Sequence, residues 1–484
     1  MTGSASGTAT DHLHSFYQGL LATGDPMAAL EQGLIGRNAV VAGPFGQKPL
    51  VYADYVASGR AVMQVEQFVL NEVLPYYANS HTEASFCGGM MTRMRREARA
   101  VIARCCGADE RHAVIFAGAG ATAGINRLVS LLGADQPRSR VVIGPYEHHS
   151  NILPWRESGA EVVEIKEDAA GGPDREHLAE VLARSGDVDR VICSFSAASN
   201  VTGIVSDIAA LTSMVKEAGA LMVWDYAGGG PYLPISMEPE QGADIDAIVV
   251  SPHKFIGGPG ASGILIVRRD AVVRDRPVWS GGGTVRFVSA QGHDYAASLE
   301  AREEAGTPNV VGDIRAALAF LVKSAIGIER METTNRQLTA RALSAWSAHP
   351  RIQLLGPASP QRLPIFSFRL RDGAGGHVHQ QLVTRLLSDC YGIQARGGCA
   401  CAGPYVHRLL EISPQESARM RDAILSGEEM EKPGFTRLNL SVLLRPDKVD
   451  FILDSVCRLA DEAAGYRSRY GFDAARAIFF PQAA

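Results

Sequence analysis

The chain has 484 residues, of which 46% are hydrophobic and 20% charged, a composition typical of globular proteins with roughly two to four domains. Its net charge of -5 gives no reason to expect a nucleic acid or an anionic membrane as a partner. The eight cysteines are scattered and do not resemble a disulfide framework. Residues 1–10 lack the segments of a signal peptide, and no apolar stretch reaches transmembrane length, so we expect a cytoplasmic protein.

Residues 1–48 carry a helical pattern after a polar start. Apolar side chains recur there at helical spacing, at Phe16, Leu20, Leu21, Met27, Leu30 and Leu34. We expect an N-terminal helical arm over residues 1–48 that joins the smaller, C-terminal domain described below.

Residues 49–312 alternate short apolar runs with longer helical patterns. The helical patterns include Ala123–Leu132, Arg175–Arg184 and Ile208–Ala218. The apolar runs predict seven strands, at Ala113–Phe116, Val141–Gly144, Glu161–Ile165, Val191–Phe195, Leu221–Trp224, Ala247–Val250 and Gly263–Val267. Because strands and helices alternate, we expect a large α/β domain with a mostly parallel sheet covered by helices on both faces.

Residues 313–484 predict a second, smaller α/β domain. It begins with one long helix from Asp313 to about Trp346. Further strands are expected at Leu363–Leu370, Ile393–Ala395 and Arg437–Leu443, and further helices at His377–Leu387 and Lys448–Ala464. The polar stretch from Ile412 to Phe435 is either a mobile loop or helical decoration.

Lys254 closes the tetrapeptide Ser251–Lys254, which follows the strand Ala247–Val250. The carboxyl end of a strand is where an open α/β sheet presents its chemistry. A hydroxyl, an imidazole and an amine this close together suit a phosphorylated aldehyde: the amine forms an imine, and Ser251 and His253 hydrogen-bond the phosphate. Asp225 ends another apolar run, where a carboxylate is costly unless paired, and a protonated pyridine nitrogen is a suitable partner. Together the lysine and the acid predict a site for pyridoxal 5'-phosphate.

Three further loops follow predicted strands and add polar groups. Gly118–Thr122 opens a helix, so its backbone amides and the Thr122 hydroxyl suit a phosphate, although a plain helix cap has the same pattern. Glu147–Asn151 holds two histidines, one of which is able to stack on an aromatic cofactor. Asn200 is suited to donate to a phenolate oxygen, or else it is a turn residue.

The loop Arg396–Pro404 supplies a guanidinium and two thiols. Arginine matches a carboxylate with two hydrogen bonds, and a loop thiol near an arginine is a candidate nucleophile. Either the histidine pair or Cys399 with Cys401 would make half of a metal site. No second set of ligands has suitable spacing, so we expect no metal.

Taken in order, these motifs resemble the class V aminotransferase family, and within it the branch of cysteine desulfurases and selenocysteine lyases. The likeness covers about Tyr52 to Cys457. It implies a fold-type I pyridoxal-phosphate enzyme with a seven-stranded sheet in a large domain over 49–312 and a small domain over 313–484.

The resemblance also implies roles for individual residues. Lys254 carries the cofactor as a Schiff base, Asp225 holds the pyridine nitrogen, His148 stacks on the ring and Asn200 faces the 3-oxygen. The residues implied to bind the phosphate are Gly120, Ala121, Thr122, Ser251, His253 and Thr307. Thr307 reaches the phosphate of the partner subunit in this family, so it implies a homodimer.

On the substrate side, Asn79, His81, Arg396 and Arg437 resemble the family's binding residues, and Cys401 falls on the cysteine that becomes a persulfide. Three features depart from the family. Gly228 replaces a glutamine, Cys399 takes a place often held by histidine, and the segment from Cys401 to Arg437 is longer than usual.

The resemblance therefore implies removal of sulfur from L-cysteine as an enzyme persulfide, with release of alanine and onward transfer to an acceptor protein or small molecule. A C–S lyase, an epimerase or an aminotransferase acting on a specialised amino acid is the alternative among enzymes. A degenerate scaffold of the same fold is the alternative among proteins without activity.

Overall fold

The computed structural model describes residues 11–80, 83–358 and 361–482. The N-terminal region holds two capped helices, a hairpin, a short strand and two further helices. In chain order they are α1 His12–Leu21, α2 Pro26–Gln32, β1 Val40–Gly43, β2 Gly46–Pro49, β3 Val51–Tyr52, α3 Met63–Phe68 and α4 Phe86–Cys105. The carboxylates of Asp11 and Asp25 accept backbone N–H groups at the starts of α1 and α2, which fixes where these helices begin.

A seven-stranded sheet follows, and all seven strands predicted from the apolar runs are present. The elements are β4 His112–Gly118, α5 Gly120–Leu131, β5 Ser139–Ile143, α6 Leu153–Glu157, β6 Glu161–Glu164, α7 Arg175–Ala183, β7 Arg190–Ser196, α8 Ile208–Glu217, β8 Leu221–Asp225, β9 Ala247–Val250 and β10 Gly263–Arg268. The strand order is β4-β10-β9-β8-β7-β5-β6. Only β10 runs against its neighbours, so the sheet is mostly parallel, as expected.

The central strands β8, β9 and β10 are almost entirely apolar because helices cover both faces of the sheet. In β9, Ile248 and Val250 belong to the core cluster on one face, and Ala247 and Val249 belong to the cluster on the other. All four side chains are fully buried. The next residues, Ser251 to Lys254, therefore leave the sheet at a rigid strand end.

The segment after the sheet contains β11 Val285–Val288, β12 His293–Tyr295, α9 Leu299–Glu303, α10 Val310–Ile326 and α11 Ile328–Trp346. The single helix predicted from Asp313 to Trp346 is wrong, since two helices occupy this stretch. Gly327 separates them with a φ of +84°, a conformation that a helix interior does not allow.

The C-terminal region is built on a four-stranded antiparallel sheet in the order β13-β14-β17-β16. Its elements are β13 Ile352–Leu354, β14 Ile365–Leu370, α12 Gln380–Tyr391, β15 Ile393–Gln394, β16 Arg396–Gly398, α13 Gly403–Leu409, α14 Pro414–Leu425, β17 Phe435–Asn439, α15 Pro446–Tyr466, β18 Tyr470–Asp473 and β19 Ile478–Pro481. The polar stretch from 412 to 435 is helical decoration, because it contains α14. The strand predicted at Arg437–Leu443 begins earlier and ends at Asn439. Strand β15 lies outside this sheet and pairs in parallel with β3.

The helices and the hairpin of the N-terminal arm pack against different elements. Leu13, Leu20 and Leu30, on α1 and α2, lie in the same core cluster as Ile314 and Leu318 of α10. The hairpin β1–β2 instead contacts α12. We therefore propose that α1, α2 and α10 belong to the large domain and that the small domain takes only the hairpin from this arm. Within the residues that the structure describes, every helix is too short or too polar to span a bilayer.

Candidate functional site

The loops at the carboxyl ends of β4, β5, β7, β8 and β9 enclose a cavity of about 180 Å³. Nine of the residues predicted to bind the cofactor line it: Gly120, Ala121, Thr122, His148, Asn200, Asp225, Ser251, His253 and Lys254. These residues come from five separate loops. They meet because parallel strands end at one edge of the sheet.

Lys254 closes a helical turn, Pro252–Lys254, that follows β9 directly. Burial disfavours its charged form and lowers its pKa to about 8, while the nearby carboxylate of Asp225 acts in the opposite direction. The guanidinium groups of Arg437 and Arg396 lower the Lys254 pKa further, whereas a thiolate at Cys401 would raise it. A substantial fraction of this amine is therefore unprotonated, and nucleophilic, near neutral pH.

Asp225 is the last residue of β8 and is 2% exposed. Its Oδ1 accepts the backbone N–H of Ala227 at 2.7 Å, and Lys254 stabilises its charge. Burial nevertheless raises its pKa. A buried carboxylate with one backbone partner is suited to hold a cationic ring nitrogen, because that nitrogen would supply a positive charge to pair with it.

A second buried carboxylate, Glu147, holds the loop that follows β5. It accepts the backbone N–H of Ser196 at 2.8 Å and its hydroxyl at 2.6 Å, and the amide of Asn151 at 2.6 Å. Burial raises the pKa of Glu147 to about 8, and the charge of Asp225 adds to this rise. A pKa this high favours the neutral form of Glu147 at neutral pH.

The phosphate cradle predicted at the start of α5 is closely built. Gly120 has a φ of +62°, and a Cβ added there would lie 3.0 Å from both Ser251 Oγ and His253 Cε1. The backbone N–H of Ala121 donates to Ser251 Oγ at 2.9 Å, and the hydroxyls of Thr122 and Ser150 are 2.7 Å apart. Backbone amides at a helix start and several hydroxyls are groups that bind a phosphate.

His148 faces this cavity in its neutral form. Burial lowers its pKa to about 3, and the charge of Lys254 adds to the effect. Its Nδ1 accepts the backbone N–H of Ser150 at 3.1 Å. The neutral ring therefore carries its proton on Nε2, and Ser150 fixes the orientation of the ring.

Cys401 lies in a tight, strained turn between Cys399 and Ala402. The N–H of Ala402 donates to the carbonyl of Cys399 at 3.1 Å, while the two central residues, Ala400 and Cys401, have φ values of 50° and 54°. Left-handed backbone costs a residue with a Cβ roughly 1–2 kcal/mol. Surrounding contacts must therefore hold this turn in place.

Two residues of the large domain provide those contacts, and we call them the turn clamp: His149 and Asn200. The N–H of His149 donates to the carbonyl of Cys401 at 2.7 Å, and its Nε2 accepts the N–H of Gly403 at 2.9 Å. The amide of Asn200 donates to the carbonyl of Ala400 at 2.9 Å. The clamp therefore ties the turn to Asn200, which lines the cavity, and Cys401 itself is exposed.

Arg396 and Arg437 are paired residues of β16 and β17, and both bind the carboxylate of Asp54. Arg396 Nε donates to Asp54 Oδ2 at 3.0 Å, and Arg437 Nη2 donates to Oδ1 at 3.1 Å. The side chain of Arg437 is 3% exposed, whereas that of Arg396 is 52% exposed. Two guanidinium groups share one carboxylate, so the cluster retains a positive charge that suits an incoming anion.

Known proteins resemble this chain in sequence and in fold. The profile of the aminotransferase class-V family matches residues 51–421. The chain belongs to the aminotransferase class-V family. Enzymes of this family are in general dependent on pyridoxal phosphate.

Curated relatives of this class-V protein include a cysteine desulfurase of Escherichia coli O127:H6, 30% identical over 363 residues, which are 74% of the chain and 85% of the relative. A cysteine desulfurase of Salmonella gallinarum is likewise 30% identical over 367 residues, with the same coverage of both chains. The solved cysteine desulfurase of Thermococcus onnurineus NA1 has a TM-score of 0.73 at 23% identity, over 89% of this chain and 97% of that one. The solved cysteine desulfurase CsdA of Escherichia coli has a TM-score of 0.71 at 24% identity, and the match covers 90% of this chain and 98% of that one. The two structures show that the fold is shared.

Some predicted residues of the class-V protein lie apart from the cavity. Thr307 is exposed on the loop between α9 and α10, and Asn79 is exposed before α4; neither lines the cavity. His81 falls outside the described residues. Among the residues that the structure describes, no cluster of three or more candidate ligands is suited to a metal ion.

Four residues of the site, Asp54, Glu147, His149 and Ser150, were given no role in the sequence analysis. The last three belong to the motif that contains His148, so their proximity to the site could have been expected from sequence position. The position of Asp54 in the site could not be predicted from its neighbours in sequence, because its two arginine partners are 342 and 383 residues away along the chain.

Proposed function

We propose that this class-V protein is a pyridoxal-phosphate-dependent cysteine desulfurase. The observation that carries the proposal is the position of Cys401. The turn that bears it is hydrogen-bonded to Asn200, which lines the cavity together with Lys254, and the loop that contains the turn begins at Arg396. A nucleophilic thiol, a low-pKa lysine and a carboxylate-binding arginine are the groups that this reaction requires.

The cavity fits the cofactor. Lys254 would hold its aldehyde carbon, Asp225 its ring nitrogen, and His148 and Asn200 its ring face and 3-oxygen. The start of α5 with Thr122, Ser251 and His253 would hold its phosphate, where the closeness of Gly120 to Ser251 and His253 leaves no room for a larger residue. When bound, the cofactor supplies an electron sink that stabilises negative charge on the substrate carbons.

The residues of this chain would then have distinct roles in the reaction. The Arg396 guanidinium binds the substrate carboxylate. The Lys254 amine, once free, removes the proton from the α-carbon. The Cys401 thiolate attacks the substrate sulfur, so that an S–S bond forms as the C–S bond breaks. The electron pair of the broken bond remains on carbon, which takes up a proton to give alanine, and Cys401 is left as a persulfide.

A product assay over a panel of amino acids tests the proposal. We expect the holoenzyme to release alanine from L-cysteine, and sulfide in equal amount when a thiol reductant is present. Pyruvate with ammonia would indicate a C–S lyase, a racemic substrate an epimerase, and a keto acid an aminotransferase. Any of these in place of alanine would overturn the assignment.

We also propose a homodimer that works in the cytoplasm. Two groups of exposed apolar side chains support the dimer: Met63, Leu70, Leu74, Tyr77 and Phe86 in one segment, and Val273, Trp279, Phe287 and Val288 in another. Apolar exposure on this scale is typical of interfaces. The eight cysteines, all in described segments, are free, which suits a reducing compartment.

Sedimentation tests the dimer. We expect a dimer at working concentration, and a shift toward monomer when Val288, which is 61% exposed, is changed by Val288→Glu. The exposed apolar residue Leu425, 70% exposed on α14, provides a control in Leu425→Glu, which should remain dimeric. A fully active monomeric wild type would refute the proposal.

A further inference from the structure

A cavity of about 680 Å³, larger than the one at Lys254, lies within the small domain. It is enclosed by β14, the start of α12, the end of α15 and the hairpin β18–β19. Pockets of this volume are typical of sites for small molecules. None of the roles discussed above involves it.

The walls of the small-domain cavity are largely aromatic and aliphatic. Phe472 and Phe479 from the hairpin, Phe368 from β14 and Val383 from α12 line it. The rings of Phe472 and Phe479 lie 5.8 Å apart. Such walls are suited to a planar apolar group, since flat rings stack and exclude water.

The charged groups of this cavity are mainly basic. Arg369 and Arg467 line it, and no ion pair recorded within the described residues involves either guanidinium. Arg369 is partly buried, and the loss of water around it lowers its pKa. An arginine that has lost water without gaining an acid is ready to bind an anion.

The other polar side chains at the cavity are already engaged. His377 Nε2 contacts Gln353 Oε1 at 2.8 Å, and His379 accepts the N–H of Gln381 on Nδ1 and donates to Met430 from Nε2. The one carboxylate, Asp372, uses Oδ1 to accept the N–H groups of Ala374 and Gly376. Apart from the second oxygen of Asp372, the free hydrogen-bonding groups among these side chains are therefore the guanidinium groups of the two arginines.

We propose that the small-domain cavity binds a small anion with a planar aromatic body, such as an aromatic carboxylate, through Arg369. The site is separate from the cavity at Lys254 but adjoins the strand that precedes the cysteine loop. Gly434 lines it, and a Cβ added to Gly434 would lie 2.7 Å from the carbonyl carbon of Gly398. An occupant would thus contact the backbone that supports the turn of Cys401.

Calorimetric titration of the holoenzyme with indole-3-carboxylate tests this proposal, with indole-3-carboxamide as the matched neutral probe. We expect the carboxylate to bind and the carboxamide to bind at least about tenfold more weakly, because only the carboxylate forms charge-assisted hydrogen bonds with the guanidinium. Arg369→Gln should lose affinity to the same degree, whereas Arg369→Lys should retain part of it. Arg458→Gln, at an exposed position of α15 outside the cavity, is the control and should bind as the wild type does.

Because Arg369→Gln alters a partly exposed residue, its melting temperature should match that of the wild type, which separates lost binding from lost folding. Absence of carboxylate binding at millimolar concentration would overturn the proposal. The proposal would also be overturned if Arg369→Gln bound the carboxylate as tightly as the wild type does, or if the wild type bound the carboxamide as tightly as the carboxylate. The outcome is independent of whether the enzyme desulfurates cysteine.

Discussion

The side-chain amide of Asn200 donates a hydrogen bond to the carbonyl of Ala400 at 2.9 Å. Asn200 lines the cavity of the large domain, and Ala400 precedes Cys401 in the strained turn. The bond joins the two domains at the point where cofactor and nucleophilic thiol would meet. With His149 it forms the clamp that keeps the turn in a conformation its own residues disfavour.

His149→Ala should release the turn. The N–H of Gly403 loses its acceptor, at a cost of about 1 kcal/mol, which corresponds to a roughly fivefold larger population of the released turn. We expect Cys401 to be alkylated faster by iodoacetamide, measured by mass spectrometry of its peptide, and desulfuration to slow, while the absorbance of the bound cofactor stays unchanged.

His149→Gln should restore slow alkylation, because its amide oxygen is also able to accept the Gly403 N–H. His177→Ala is a matched control, since His177 Nδ1 likewise accepts a backbone N–H, that of Lys166, which is not part of the turn. Equal alkylation rates in wild type and His149→Ala would contradict the role of the clamp.

Asp54→Asn should weaken substrate binding and destabilise the fold. The change leaves the buried guanidinium of Arg437 without a counter-charge and frees Arg396 from its position. We expect the free energy of unfolding to fall by about 3 kcal/mol and the KM for L-cysteine to rise more than kcat falls. Steady-state kinetics and urea titration measure both.

Asp450→Asn is the control for that change. Asp450 pairs with Arg341 on the surface, where the carboxylate is 63% exposed, so its loss should cost less than about 1 kcal/mol. If both variants lose the same free energy of unfolding, the Asp54 carboxylate contributes no more to stability than an exposed surface carboxylate does.

The strand-end residues were accessible from the sequence, whereas the contacts that hold them were not. Lys254 and Asp225 follow continuous apolar runs, and such runs are recognisable because both faces of the sheet are covered. The clamp and the Asp54 cluster join segments about two hundred residues or more apart, and local pattern carries no information about that pairing.

The errors in the predicted fold have local physical causes. Gly327 lies inside a continuous helical pattern, and a single glycine does not reveal whether it is tolerated there or ends the helix. The hairpin β1–β2 was missed because its strands lack the buried alternation that identifies one. Periodicity predicts the helices of the N-terminal arm, but it carries no information about the surface on which they pack.

Loading of the cofactor-free protein with pyridoxal phosphate should depend on pH through Lys254. The unprotonated amine is the nucleophile, and its fraction increases as the pH rises through the Lys254 pKa of about 8. Stopped-flow absorbance should therefore show a loading rate that rises with pH and levels off above about 8.

Asp225→Asn should move that midpoint to lower pH, since the Asp225 charge raises the pKa of Lys254. A midpoint near 10.5, the ordinary value for lysine, would show that the amine is not buried as described.

Glu147→Gln should change how stability depends on pH. The folded-state pKa of Glu147 is about 8 against an ordinary 4.5, so between these values the folded protein binds more protons than the unfolded one. The free energy of unfolding of the wild type should fall over this window, by at most about 1.4 kcal/mol per pH unit. Glutamine does not titrate, so the variant should lack this component.

Urea titrations of the cofactor-free wild type and Glu147→Gln at intervals from pH 5 to pH 8 measure the difference. The free energy of unfolding of Glu147→Gln should increase relative to that of the wild type as the pH rises. Parallel pH profiles would mean that Glu147 is ionised in the fold.

The central claim is that Cys401 accepts the sulfur of L-cysteine, and mass spectrometry of the cysteine loop tests it most directly. After brief incubation of the holoenzyme with L-cysteine and alkylation, we expect one added sulfur atom on Cys401. Cys401→Ala should lose this adduct and alanine formation while retaining the absorbance of the bound cofactor, and Cys399→Ala should retain much of both reactions. If neither substitution affects alanine formation and no sulfur is found on the loop, the thiol is not the nucleophile and the account is wrong.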